Sequence, residues 1–195
     1  MMQQLNSGDL SYRFTANRLC LDFLATKGEV GHRDIERIGT PQAYSSWIAA
    51  AGILDRDVFV GPADVADAIR FRELLRSYFS QIARGLAPDQ LTIAEINEAA
   101  RRPSPRFELN KLGVAVAKRA DVAGQAALSS VARDVLLLVS ENLLGRVKQC
   151  SDPTCNMYFL DNSRGNNRIW CATVGRGCGN KAKKRAFRAR KREPA

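Results

Sequence analysis

The chain has 195 residues, 45% of them hydrophobic, and a formal net charge of +10. That length allows one well-filled core, or one core with a small satellite module. The densest apolar run, Val135 to Val139, is far short of the roughly 20 residues needed to cross a bilayer, and the opening MMQQLNSGDLSYRF lacks the apolar stretch of a signal peptide, so neither a membrane protein nor a secreted one is expected. The expected setting is cytoplasmic, and nucleoid-associated if the chain is bacterial. In that reducing compartment the five cysteines read as thiols or metal ligands before disulfides.

Residues 1–145 read as a helical body. Ala16 to Thr26 places Leu19 and Phe23 on one helical face, with Gly28 as a stop signal. Thr40-Pro41 is an N-cap followed by proline at the first helical position. Gly52 lies past the far end, and Tyr44, Trp47, Ile48 and Ala51 line one side. Gly61-Pro62 opens a helix in which Val65, Ile69, Leu75, Phe79 and Ile82 follow the helical period, and Gly85 closes it. Thr92 and Glu95 have the spacing of a capping box for a helix to about Arg101. After Pro103 and Pro105, Phe107 and Leu109, then Val114 and Val116, alternate around Asn110-Lys111-Leu112-Gly113, predicting a short hairpin. The span from Val122 to Asn142 is expected to be the longest helix.

The body carries no catalytic signature, so a non-enzyme is expected. The single histidine, His32, lies in a loop-like GEVGHRD stretch without an evident partner for general-base work. Cys20 sits in the apolar stretch LCLDFL and reads as a buried thiol.

Charge and cysteine are concentrated in residues 146–195. From Arg146 onward there are 13 Lys/Arg and 3 Asp/Glu, whereas Met1 to Gly145 holds 17 of each. Cys150, Cys155, Cys171 and Cys178 give C-x4-C-x15-C-x6-C. Two close pairs separated by a longer insert can bring four thiolates into a tetrahedron, the donor set of a closed structural zinc site, with an iron–sulfur cluster as the minor alternative. Ser151-Asp152-Pro153 supplies a turn inside the first pair. Gly175, Gly177 and Gly179 surround the last ligand, where backbone N–H groups are expected to approach sulfur. Met157-Tyr158-Phe159-Leu160 and Arg168-Ile169-Trp170 read as two strands joined by the polar loop Asp161 to Asn167. A unit of this size is usually too small to fold without a staple.

From Lys181 to Arg192, eight of twelve residues are Lys or Arg. Ala182, Ala186 and Ala189, at i, i+4 and i+7, form a narrow stripe expected to lie against the zinc knuckle, leaving the other faces cationic. Such a helix suits the neutralisation of phosphates.

With these residues in view, the chain resembles the CGNR zinc-finger family of bacterial transcription regulators. The match rests on the cysteine pattern, YFLDNSR after the first pair, Trp170-Cys171 at the third ligand, and Cys178-Gly179-Asn180 followed by Lys-Ala-Lys. LCLDFLAT is similar to the opening of the helical ABATE domain that precedes this finger. The resemblance implies DNA binding and a stress-linked regulatory role. Lys181 stands where the family signature has arginine, so a bidentate guanidinium contact cannot be made there in the same way. The loop between Cys171 and Cys178, ATVGRG, is longer than the family's usual one.

The expected fold is mainly α with a small β-hairpin: a helical domain over 1–145, then a treble-clef-like four-cysteine zinc finger over 146–195 ending in a basic helix. The expected function is zinc-dependent binding of double-stranded DNA as a transcription regulator. Lys181, Lys183, Lys184, Arg185, Arg188 and Arg190 would meet phosphates or the major groove. Arg164, Asn166, Asn167 and Arg168 offer a second contact, because Asn and Arg can both bond base edges in bidentate fashion. Alternatives from other classes are an RNA- or ribosome-associated zinc protein, a body that senses a small-molecule effector or forms a homodimer, and a redox switch at the four thiolates.

Overall fold

In a computed structural model of the chain, residues 5–55, 58–174 and 177–191 are described. Among them the architecture is mainly α, with three small two-stranded antiparallel sheets. Helix α1 covers Ser7–Leu10, α2 Leu19–Leu24, α3 Pro41–Ala50, α4 Pro62–Ala83, α5 Gln90–Arg101, α6 Ala123–Ser140 and α7 Cys178–Arg190. The strands pair as β1 (Lys27–Gly28) with β2 (Ile35–Glu36), β3 (Arg106–Leu109) with β4 (Val116–Arg119), and β5 (Val147–Gln149) with β6 (Tyr158–Leu160).

Local chemistry accounts for most helix ends. The Thr40 hydroxyl accepts from the Ala43 N–H at 3.2 Å, with Pro41 at the first helical position of α3. Gly61 N–H donates to the Asp64 carboxylate at 2.8 Å, starting α4, and Gly85 leaves that helix at φ +71°, where a glycine costs least. Helix α6 ends in a Schellman turn: Leu143 N–H donates to Leu138 C=O at 3.0 Å around Asn142 at φ +57°.

Three readings of the body are corrected, and one buried charge is new. Helix α2 ends at Leu24, and Gly28 is a strand residue whose missing Cβ leaves room for the Arg37 guanidinium. The N-cap of α5 is Asp89, which accepts from the Thr92 N–H and hydroxyl at 2.8 and 2.7 Å; Glu95 instead pairs with Arg70. The longest helix is α4, with 22 residues against 18 in α6. Arg72, inside the apolar period of α4, is fully buried and bonds Glu36 from both terminal nitrogens and Thr26 at 3.0 Å.

One apolar core runs from the body into the cysteine region. Phe23 packs on Trp47 with ring centroids 5.2 Å apart, and Phe79 on Tyr158 at 6.1 Å. The free edge of β6 is bonded by the start of the chain: Leu160 N–H donates to Ala16 C=O at 2.9 Å, and the Asn17 amide to Leu160 C=O at 3.2 Å. Burying an edge strand in this way removes its unpaired backbone groups from solvent. The β5–β6 hairpin thereby seats the four-cysteine cluster directly on the helical body.

Candidate metal centre and basic helix

The hairpin is built around the first cysteine pair. In β5–β6, Val147 pairs with Leu160 and Gln149 with Tyr158. Cys150 N–H continues the ladder to Met157 C=O at 2.8 Å. Between the cysteines, the Asp152 carboxylate accepts from the Thr154 N–H and hydroxyl, and Cys155 N–H donates to Asp152 C=O at 2.9 Å. This turn presents Cys150 and Cys155 on the same side.

Arg168 to Trp170 form no strand, which corrects the reading that paired them with Met157 to Leu160. The buried Asp161 organises the insert instead. Its carboxylate accepts from the N–H groups of Ser163 and Arg168 at 2.9 and 2.8 Å and from the Lys148 ammonium at 2.9 Å. Burial alone would raise this carboxyl; the bonds from Ser163, Lys148 and Arg168 hold it well below the usual carboxylate range. Backbone that donates to a carboxylate is not free for a ladder. Ser151 N–H, donating to Ile169 C=O at 2.8 Å, closes the insert onto the first cysteine turn.

Cys150, Cys155, Cys171 and Cys178 are all buried, and their four sulfurs lie within 4.8 Å of one another. Cys171 Sγ is 3.7 Å from both Cys155 Sγ and Cys178 Sγ. Zinc–sulfur bonds of about 2.3 Å in a tetrahedron put sulfurs about 3.8 Å apart. The cluster therefore fits one zinc ion, and Cys171 N–H at 3.5 Å from Cys150 Sγ adds a donor to a ligand sulfur. Four thiolates packed this closely repel one another, and a divalent cation held among them offsets that charge.

The glycines around the last ligand act through space rather than through N–H bonds to sulfur, which corrects that expectation. A Cβ on Gly177 would lie 2.7 Å from the Ala172 carbonyl, and one on Gly179 3.0 Å from the Thr173 methyl. Their N–H groups donate to Val174 C=O and Ala172 C=O, both at 2.9 Å. Gly175 lies outside the described residues, as do Arg176 and Arg192.

Helix α7 begins at Cys178 and runs to Arg190. Of the alanine stripe, Ala182 is half-buried and Ala186 is exposed, so cover of the helix stops after its second turn; the side chain of Ala189 lies outside the described residues. Beyond Ala182, Arg185 is the side chain of α7 that pairs back onto the finger among the described residues, and the other cations project. Lys181, Lys183, Lys184, Arg188 and Arg190 are exposed and form no ion pair with the described residues. Arg185 differs, its Nη2 lying 3.0 Å from Asp152 Oδ2.

In the loop, Arg164, Asn166 and Asn167 are exposed. The Asn166 C=O accepts from Lys148, and its amide lies 3.4 Å from Gly145 C=O. Arg168 is used by the fold: its guanidinium donates to Cys171 C=O at 2.7 Å and covers the Phe159 ring at 4.8 Å. Sequence reading missed the ion-pair roles of Lys148, Asp152 and Asp161: the two carboxylates were legible only as turn and loop residues, and Lys148, on β5, gave no signal. Away from this region, Cys20 is fully buried, with its thiol raised well above normal first by burial, and His32 is an exposed turn residue.

These features define a class: a helical body bearing a tetra-cysteine zinc finger that ends in a cationic helix. The chain belongs to the ABATE family, described as "Putative stress-induced transcription regulator", whose model matches residues 17–142. The CGNR zinc finger matches residues 146–191. Compared with proteins of curated function, the chain has no match. No helix among the described residues is long and apolar enough to cross a membrane.

Proposed function

We propose that the chain is a DNA-binding regulator in which Cys150, Cys155, Cys171 and Cys178 hold one structural zinc ion and α7 meets the duplex. The observation carrying this reading is that α7 starts on a buried ligand, Cys178, and then presents Lys181, Lys183, Lys184, Arg188 and Arg190 at the surface with no ion pair among the described residues. Zinc fixes the origin of the helix and takes no part in chemistry, because four sulfurs leave no ligand position for a substrate. Arg164 and Asn167, exposed on the insert loop, supply a second contact, and Asn166 shapes that loop.

Duplex DNA is favoured over single-stranded RNA by the fate of the aromatics. Tyr158 and Phe159 are buried and Trp170 is half-buried, which leaves Phe187, 62% exposed, as the stacking surface on the finger. In this reading residues 1–145 are the regulatory body, able to take an effector or a second copy. In this reading the protein works in the cytoplasm, and on the nucleoid if the chain is bacterial.

Fluorescence anisotropy with a labelled duplex over a salt series tests the reading. With about five phosphates neutralised, log K falls against log salt with a slope of about −4 to −5. A slope near zero removes the proposal.

A further inference from the structure

Arg37 is a buried cation without a carboxylate of its own. It is 3% exposed, donates from Nε to Ser11 C=O at 3.0 Å and from Nη1 to Ala25 C=O at 3.1 Å, and its buried Nη2 has no partner among the described residues. Burial first, then the nearby Arg13, lower its pKa to about 10, while Glu29, Asp9 and Glu36 pull the other way. Those three carboxylates are already used. Asp9 and Glu29 both bond Arg33, and Glu36 holds Arg72. Arg13 is half-buried and forms no ion pair with the described residues. A buried guanidinium nitrogen without a protein partner is costly, and an anion that reached it would offset that cost.

Arg13 and Arg37 line one recess between β1 and the zinc knuckle; Lys27 and Lys181 are also in its wall, together with Glu29, which Arg33 pairs, and the ligands Cys155 and Cys178. Its enclosed end measures about 20 Å³, room for about one oxygen-sized group. An adjoining cleft of about 440 Å³ shares Arg13 and Lys181 and is lined on the knuckle side by Cys171, Ala172, Gly177 and Cys178. We propose that this recess is an anion site, taking a carboxylate or phosphate oxygen of a small molecule between Arg13 and Arg37 while the rest of the ligand occupies the cleft. The ligand would touch both the body and the first turn of α7 through Lys181. This deepens the regulatory reading of the body but does not require DNA binding, since binding of the anion is measured alone.

The zinc-loaded full chain is titrated calorimetrically with inorganic phosphate and, separately, with succinate, against sodium chloride at matched ionic strength. One saturable equivalent is expected for at least one of the two, and their relative affinity tells a phosphate head from a carboxylate. Arg13→Ala, at a half-buried position outside the core, should weaken binding about tenfold, roughly 1.4 kcal/mol, whereas Arg84→Ala on the exposed far end of α4 should not. Arg37→Lys, which keeps the charge and loses the fork, should also weaken it. No saturable binding of either anion overturns the proposal and leaves these cations as counter-charges to the zinc thiolates. Equal loss in Lys184→Ala and Arg13→Ala also overturns it, by placing the anion on the exposed face of α7.

Discussion

Arg185, about two turns beyond Cys178, places Nη2 3.0 Å from Oδ2 of the buried Asp152, inside the turn between the first two cysteines. One ion pair thus ties the direction of α7 to the opposite half of the metal site. It also neutralises one of the cations on the helix.

Arg185→Ala should therefore change DNA binding less than Arg188→Ala. Arg185 is 51% exposed, so its pair contributes under about 1 kcal/mol to stability. In salt titrations, Arg188→Ala should flatten the slope by about 0.9, and Arg185→Ala by clearly less. Equal flattening would show that the pair with Asp152 does not persist on DNA.

Metal removal should act on α7 before the body. Elemental analysis should find one zinc per chain. Dialysis against a strong chelator should lower far-UV helicity by the share of α7 and weaken duplex binding at least about tenfold, because a free basic segment of this length is a marginal helix. Cys155→Ser should reproduce the chelated state without chelator. Full duplex affinity in the metal-free chain would refute the link.

The two loop arginines should separate stability from binding. Arg168→Ala removes the bond to Cys171 C=O and the cover over Phe159, and should cost about 1–2 kcal/mol in denaturant unfolding. Arg164→Ala, at an exposed position, should leave the midpoint unchanged while weakening duplex binding. A reversed pattern would put Arg168 on the DNA and Arg164 in the fold.

Acid should loosen the insert through Asp161. Its folded carboxyl is held below the ordinary value of 3.8, so the unfolded chain binds the proton more readily. The stability it contributes is therefore fully present above about pH 5, and is lost as pH falls past the ordinary value toward the folded one. Asp161→Asn should flatten the acid limb of a stability–pH curve. At neutral pH it should cost about 3 kcal/mol, because Lys148 loses its buried partner. An acid limb unchanged by the substitution would remove Asp161 as its source.

Most of the fold's local grammar could be read in the residues. Thr40-Pro41, the glycine at 85 and the period of Val65, Leu75 and Phe79 located α3 and α4, because caps and helical faces depend on neighbours within a few positions. The β3–β4 hairpin followed from alternation around Asn110, whose side chain accepts from Val114 N–H at 3.0 Å. The readings that failed depended on distant partners. Gly28 looked like a helix stop, and its reason for being glycine is Arg37. Nothing near Arg168 in the sequence pointed to the contacts that the fold gives it with Phe159 and Cys171.

By itself, the sequence determined that four thiols come in two close pairs, that the surplus of positive charge follows them, and that the rest is helical. Those are properties of composition and short-range spacing, and no tertiary contact is needed to establish them. Only the tertiary structure decided that β6 takes β5 as its partner while residues 16–17 close its other edge, and that Asp161 claims the backbone of the insert. It also decided which arginines face inward. A strand's partner, and the counter-ion of a buried charge, are chosen by what the rest of the chain brings within hydrogen-bond distance.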